Sequence, residues 1–260
     1  MHKFIGKTVL ITGGNRGIGA AAAIAFAKAG IKQIVITHRQ GSLENGLEKV
    51  INKYGASLTN IKADFSDNQG IEALIETLRT QIDTVDILVN NAATIHRAAT
   101  NSTSQPEWDW TLNTNVSAPF FLSKFMANQL VEQQRPGAII LVSSITALLA
   151  TRGLASYTIS KGAIIAMNRQ LAVDYGRNGI RVNCVLPGII STERQMRDLP
   201  SIEAKKLKAT IPVGRFGRAE EVANLIVFLA SDAASYLHGA VISVDGGMSA
   251  VETGTQFEDE

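Results

Sequence analysis

The sequence predicts an α/β fold: one domain built on a doubly wound parallel sheet of about seven strands, with helices on both faces. Three observations carry that prediction. Short runs rich in β-branched residues alternate with longer helical patterns along the chain. The short runs are continuously apolar, as strands covered on both faces are. The length of 260 residues, with 45% hydrophobic and 18% charged, suffices for one large domain with a sizeable core.

Strands are predicted near 8–11 (Thr8-Val9-Leu10-Ile11), 33–37, 58–63, 86–90, 138–143, 180–185 and 240–244. Helices are predicted near 18–29, 43–53, 68–81, 116–133, 158–176 and 219–231. Local punctuation supports several of these boundaries: Gly30 follows the first helix, Asp67 can cap the third, and Gly179 follows the fifth. Strand–helix alternation of this kind implies right-handed crossovers and a parallel sheet. The polar stretch 191–212 is helical at best and interrupts the alternation, which is how a substrate lid reads. The domain is expected to span 1–250, followed by a mobile acidic tail over 251–260.

Composition excludes several function classes. Lys and Arg total 25 against 23 Asp and Glu, a formal charge of +2, with no dense basic run, so no nucleic-acid or membrane partner is expected. No apolar run reaches the roughly 18 residues of a membrane span. The start from Met1 to Lys7 is too short and polar for a signal peptide. The single cysteine, Cys184, sits in the apolar run 180–185 and reads as a small core hydrophobe. One cysteine forms no internal disulfide, which fits a reducing, cytoplasmic setting. No metal site is expected.

After the first predicted strand comes Thr12-Gly13-Gly14-Asn15-Arg16-Gly17-Ile18-Gly19, then an alanine-rich helix. Glycines let a backbone approach phosphates, and a helix N-terminus offers unpaired N–H groups and a positive dipole end. The spacing is G-x-x-x-G-x-G and not the G-x-G-x-x-G of the standard dinucleotide fingerprint. Alone, such a turn is also compatible with tight βα packing. The second strand ends in Thr37-His38-Arg39. An NAD site places an acid near this point to bond the ribose 2′-hydroxyl. Here the nearest acid is Glu44, whereas Arg39 offers a planar guanidinium for a 2′-phosphate, and Arg16 could add a second positive group. The cofactor is therefore expected to be NADP(H). The alternative is that Arg39 is a solvated loop residue.

Ser143 and Ser144 end the fifth strand, and Tyr157 and Lys161 follow at the i,i+4 spacing that puts both on one helix face. A free tyrosine has a pKa near 10, and a neighbouring ammonium stabilises the phenolate. That pairing makes a general acid or base closer to working pH. Ser144 can hydrogen-bond a carbonyl oxygen where negative charge develops. Y-x-x-x-K alone is common on surface helices; its weight comes from the upstream serine and the glycine turn.

These pieces together resemble the short-chain dehydrogenase/reductase family over residues 5–250. The match rests on Thr12 to Gly19, Asp64, Asn90-Asn91-Ala92-Ala93, Asn115, Ser144, Tyr157 with Lys161, and Pro187-Gly188. The resemblance implies a Rossmann domain with Asn115, Ser144, Tyr157 and Lys161 as the catalytic tetrad. Asn115 would hold a water in a proton relay from Lys161. Gly13, Asn15, Arg16, Gly17, Ile18 and Gly19 would hold the pyrophosphate, and His38 and Arg39 the ribose phosphate. Asp64 and the Phe65 backbone would contact the adenine, and Asn91, Ala92 and Ala93 the ribose. Pro187, Gly188, Ile190 and Thr192 would fix the nicotinamide, with Tyr157 and Lys161 beside it. Helices near 116–133 and 158–176 would pair across subunits in a homotetramer or homodimer. The chain departs from the usual Asn-Asn-Ala-Gly at Ala93. Asn115 also reads as a helix N-cap before Val116, and Asn90 as a residue that only braces the sheet.

The stretches Ile211 to Arg218 and Val244 to Met248 look most like 3-oxoacyl-[acyl carrier protein] reductases. Arg135 falls where that subgroup often has a carrier-docking arginine, while Asn178, one after Arg177, fills the second docking position. His96 and Arg97 are expected near the substrate mouth. Arg194, Arg197, Lys205, Lys206 and Lys208 give the lid a basic character that also suits a solvated helix face. The expected activity is reduction of a 3-oxoacyl thioester or related ketone with NADPH, with acyl carrier protein as a possible partner. The alternative is an NAD-dependent alcohol or sugar dehydrogenase of the same fold.

Overall fold

A computed structural model describes residues 4–39, 46–196 and 200–251, without the side chains of residues 194 and 195. The expected helix start at 43–45, Glu44, the side chains of Arg194 and Arg197, and the tail from Glu252 onward lie outside the described residues.

Seven strands form one sheet in the order β3-β2-β1-β4-β5-β6-β7, every neighbouring pair parallel. They are β1 (Thr8–Ile11), β2 (Gln33–His38), β3 (Ser57–Lys62), β4 (Ile87–Asn90), β5 (Gly137–Val142), β6 (Ile180–Pro187) and β7 (Val241–Val244). The order reverses between β1 and β4, and a doubly wound sheet opens its ligand crevice at the strand carboxyl ends at such a point. The apolar strands are explained by burial on both faces. In β1, Val9 and Ile11 pack on one face beside Phe26 of α1 (Gly17–Lys28) and Ile226 of α9 (Ala219–Ala230). Leu10 packs on the other face, with Leu74 of α3 (Asn68–Gln81), Leu122 of α5 (Ala118–Glu132) and Ile164 of α6 (Ala155–Tyr175). Each such large aliphatic side chain contributes roughly 1.5–3 kcal/mol on full burial.

Three local differences from the sequence reading bear on the site. First, the helix expected from 116 is preceded by α4 (Gln105–Leu112) and joined to it by a π-helical turn, Asn113–Ser117. A capping box starts α4: Ser104 N and Oγ donate to the Glu107 carboxylate at 3.1 and 2.8 Å. Asn115 is thus no N-cap, because its backbone lies inside a continuous helical path. Second, α6 begins at Ala155 and not at 158, so Tyr157 sits in its first turn. Third, the stretch 191–212 contains α7 (Glu193–Met196) and α8 (Ser201–Lys208). Among the described residues, no helix is long and apolar enough to cross a membrane. The short helix α2 spans Leu47–Lys53.

Candidate active site

The β1–α1 turn is shaped by glycines that tolerate no side chain. Gly13 and Gly17 have φ of +63° and +55°, where a β-carbon is strained. A β-carbon on Gly19 would lie 2.2 Å from the Gly13 carbonyl oxygen, and one on Gly14 would lie 2.4 Å from Ile36 Cγ2. Neighbouring strands hold the turn in place. Gly13 N donates to Thr37 Oγ1 at 3.3 Å, and Gly14 N donates to Thr37 O at 3.1 Å. Asn91 Nδ2 donates to Thr12 O and Gly13 O, both at 3.0 Å. Thr12 Oγ1 accepts from the N–H groups of Asn91 and Ala92 at 2.9 and 3.0 Å. The Asn91 side chain thus braces the turn from the neighbouring segment. No side chain caps the α1 N-terminus beyond Arg16, and no acid lies in its first turn. A helix end of that kind accepts an anion, so the residues present fit a dinucleotide pyrophosphate.

The second cluster stands at the end of β5. Ser144 Oγ accepts from Thr146 N at 3.2 Å, which leaves the hydroxyl proton available for another acceptor. The Lys161 ammonium lies 5.7 Å from the centre of the Tyr157 ring, so the pair expected on one helix face is together. Lys161 is 3% exposed, and its Nζ donates to Val142 O at 2.8 Å. Burial lowers its pKa to about 8, opposed by the attraction of neighbouring Cys184. Burial pushes the Cys184 thiol up to about 12, so it stays neutral beside the amine.

Asn115 connects this cluster to the strand end beyond β4. Its Oδ1 accepts from Thr94 N at 2.9 Å, and its Nδ2 donates to Thr94 O and to Ser160 Oγ, both at 3.0 Å. Ser160 in turn donates to Tyr157 O at 2.7 Å, and Ser143 Oγ donates to Lys161 O at 2.8 Å. Ser160 and Thr94 have no role in the sequence reading, and Ser143 and Thr12 enter it only as the strand end and the start of the glycine turn. The available signal was a small polar residue inside an otherwise apolar helix or strand face, which in a buried setting needs a partner. Asn90 donates to Ser123 Oγ at 3.0 Å and braces β4 against α5, as expected.

At the far end of the crevice, Arg39 is exposed and lies over the Trp110 ring of α4, 5.0 Å from its centre. His38 is buried at the end of β2. Asp64 accepts from Ser66 N at 2.9 Å, and Phe65 is buried, with its carbonyl accepting from Thr114 Oγ1 at 3.2 Å. His96 packs its ring edge against Trp110, and its Nδ1 lies 3.2 Å from Glu107. Arg97 is exposed. On the opposite side, Gly188 N donates to Val244 O at 3.0 Å, and a β-carbon there would meet Asp245 Cα at 2.8 Å. Ile190 is buried and bridges to Gly217, which anchors the base of the 191–212 segment. Thr192 comes close to the glycine turn: its Cγ2 lies 3.3 Å from where a Gly17 β-carbon would stand. Pro187 ends β6. Ala92 and Ala93 are half-buried beyond β4, Asn15 and Ile18 are half-buried in the turn, and Arg16 is exposed.

One sequence expectation changes character here. Arg135 forms an ion pair and hydrogen bond with Asp86, whose side chain is 5% exposed and also accepts from Thr8 N at 2.8 Å. A buried carboxylate needs that cation, so Arg135 has a structural role whether or not it meets a partner. Arg177, Lys205 and Lys206 are solvated, as a bland reading has it.

A glycine cradle at the switch point, with a serine, a tyrosine and a buried lysine at the adjacent strand ends, defines a nucleotide-dependent oxidoreductase site. Comparison with known proteins gives the family. The profile described as Enoyl-(Acyl carrier protein) reductase matches residues 13–249. The 3-oxoacyl-[acyl-carrier-protein] reductase FabG of Escherichia coli K12 is 36% identical over 245 residues, covering 94% of this chain and 98% of that protein. The L-rhamnose 1-dehydrogenase (NAD(P)(+)) of Azotobacter vinelandii is 37% identical over 251 residues, covering 94% and 97%. Among solved structures, a putative 2-deoxy-D-gluconate 3-dehydrogenase from Agrobacterium tumefaciens with bound NADP superposes with a TM-score of 0.87 at 32% identity, covering 96% and 98%. The chain belongs to the short-chain dehydrogenase/reductase family of oxidoreductases.

Proposed function

We propose that this protein uses NADP(H) to reduce a 3-oxoacyl thioester or a related ketone. The observation that carries the reading is the buried Lys161 ammonium, which lies beside the Tyr157 ring and donates to Val142 O at the end of β5, two residues before Ser144. When bound, NADPH would supply the hydride for the carbonyl carbon, and the residues below would hold it. The carbonyl π electrons move to oxygen, where the Ser144 hydroxyl donates a hydrogen bond as charge develops. Tyr157 delivers its proton to that oxygen, and Lys161 sustains the phenolate left behind. Asn115 belongs to the relay that returns the proton, and it fixes the Tyr157 turn through Ser160. Gly13, Asn15, Arg16, Gly17, Ile18 and Gly19 hold the pyrophosphate. His38, Arg39, Asp64 and Phe65 surround the adenosine, Asn91 to Ala93 the ribose, and Pro187, Gly188, Ile190 and Thr192 the nicotinamide. The 191–212 segment, anchored at its base by the bridge of Ile190 to Gly217, is assigned as the substrate lid.

The outer faces of α5 and α6 expose Phe120, Phe121 and Val173, which supports assembly into a homotetramer or homodimer through these helices. The buried, unpaired Cys184 suits a cytoplasmic setting.

A second reading, oxidation of a sugar or other alcohol, is favoured by two observations. The rhamnose enzyme named above is 37% identical to this chain, against 36% for the carrier-protein reductase, and the putative 2-deoxy-D-gluconate 3-dehydrogenase shares its fold at 32% identity. Arg135 is already held by Asp86, and Asn178 replaces the second docking arginine, so a carrier protein finds a weakened landing site. The test is a screen following nicotinamide absorbance with both cofactors. Acetoacetyl thioesters, free and carrier-bound, and small diketones are offered with NADPH or NADH, and rhamnose and gluconate with NADP or NAD. Turnover of the thioesters or diketones with NADPH is expected. Turnover confined to sugars selects the second reading, and a strong preference for NADH over NADPH refutes the assignment of Arg39.

A further inference from the structure

The Arg39 guanidinium rests on a surface that the β2 strand end does not supply. It lies over the indole of Trp110, 5.0 Å from the ring centre, and among the described residues no carboxylate pairs with it. Trp110 is itself held from behind. The His96 ring meets it edge-on at 5.3 Å, Glu107 lies 3.2 Å from His96 Nδ1, and the Ser104 capping box fixes Glu107. One turn further along the same helical path, Asn113 Nδ2 donates to Ser66 O at 3.0 Å and Thr114 Oγ1 donates to Phe65 O at 3.2 Å. Trp110, Asn113 and Thr114 therefore join three things at one place: the end of β2, the turn after β3, and α4.

We propose that Trp110 is a positioning residue for cofactor choice, an aromatic rest that holds the Arg39 guanidinium ready for a 2′-phosphate. The inference depends on the role given to Arg39 above. The physical basis is the shape of the guanidinium. Its faces attract an aromatic ring, while its N–H donors project from its edge. An arginine resting on an indole keeps the edge donors that a phosphate uses bidentately. The ring also limits the side chain's freedom before the ligand arrives, so less entropy is lost on binding. An exposed arginine at a strand end without such a rest samples many rotamers and loses more of that freedom when it binds.

The experiment measures binding without turnover. Calorimetry with adenosine 2′,5′-bisphosphate and with adenosine 5′-monophosphate gives a selectivity ratio for the 2′-phosphate. In Arg39→Ala that ratio is expected to collapse. In Trp110→Ala it is expected to fall about three- to ten-fold, with monophosphate affinity unchanged, and Trp110→Phe is expected to restore most of the loss. An unchanged ratio in Trp110→Ala, or an equal weakening of both ligands, overturns the role of Trp110 alone, provided that Arg39→Ala has lost selectivity. An unchanged ratio in Arg39→Ala overturns the reading of Arg39 and the inference with it. Trp110→Phe behaving like Trp110→Ala also counts against an aromatic rest.

Discussion

The glycine turn after β1 and the polar cluster after β5 share one sheet edge, two strands apart, and are built by opposite means. The turn works by lacking side chains at its glycines: Gly19 packs on the Gly13 carbonyl and Gly14 on the Ile36 side chain, and its hydrogen bonds come from Thr12, Thr37 and Asn91. The β5 cluster works by burying polar side chains, with Ser143, Ser160, Asn115 and Lys161 each 3% exposed or less. One region is thus most sensitive to added volume. The other is sensitive to the loss of a single proton or donor, while its shape tolerates isosteric change. Substitutions that add only volume, or remove only a polar atom, break this contrast most directly.

The largest effect is expected for Tyr157→Phe, which removes one hydroxyl and leaves the ring. Turnover should fall about 10²- to 10⁴-fold, the range for a lost general acid. Cofactor affinity by calorimetry should hold, since the cradle is untouched. A variant that kept full turnover would sink the proposed proton donor.

Next comes the converse change, Gly19→Ala. It adds one methyl, placed 2.2 Å from the Gly13 carbonyl oxygen and 2.8 Å from Asn91 Nδ2. The strain of such overpacking is about 1–3 kcal/mol, and relief requires moving the turn that faces the pyrophosphate. Thermal melts should show the loss in stability, and cofactor KM should rise with little change in kcat. If affinity survived intact, the cradle would not be where the phosphates lie.

The same contrast explains what was legible in the sequence. The parallel sheet and the glycine turn follow from local pattern, because two-sided burial demands apolar runs and a close backbone approach demands glycine. The helix α4 was legible and was overlooked: Ser104-Gln105-Pro106-Glu107 is a capping box with an early proline. The start of α6 was not legible, since Leu154 at its cap carries no hydrogen-bonding side chain. Nor was the π turn at Asn113–Ser117. It accompanies bonds from Asn113, Thr114 and Asn115 to segments distant in sequence, and no local propensity encodes those. Tyr157 and Lys161 could be found from their spacing. Trp110 could not, because its role exists only once the loop after β2 and α4 have been brought together.

The smallest effect is one on stability, and it concerns Lys161. A buried ammonium is costly, and its pKa of about 8 against an ordinary 10.5 records that cost. Lys161→Met should therefore abolish turnover yet stabilise the fold at neutral pH. The gain from removing the charge is offset by the stranded Val142 carbonyl that Nζ now satisfies, which leaves a net gain on the order of 1 kcal/mol. The pH dependence fixes the cause. Below about 8 the folded protein keeps the proton and carries the full cost. Between about 8 and 10.5 the folded lysine is neutral while the unfolded one is still charged. The unfolded state then binds more protons, so wild-type stability rises with pH across that window relative to the Met variant. Cys184 does not interfere, because its thiol titrates only near 12. Urea unfolding of both proteins at pH 7 and pH 10 should show the advantage of the Met variant at pH 7 shrinking and reversing by pH 10. A gap that is independent of pH would mean that packing, and not the buried charge, sets the difference.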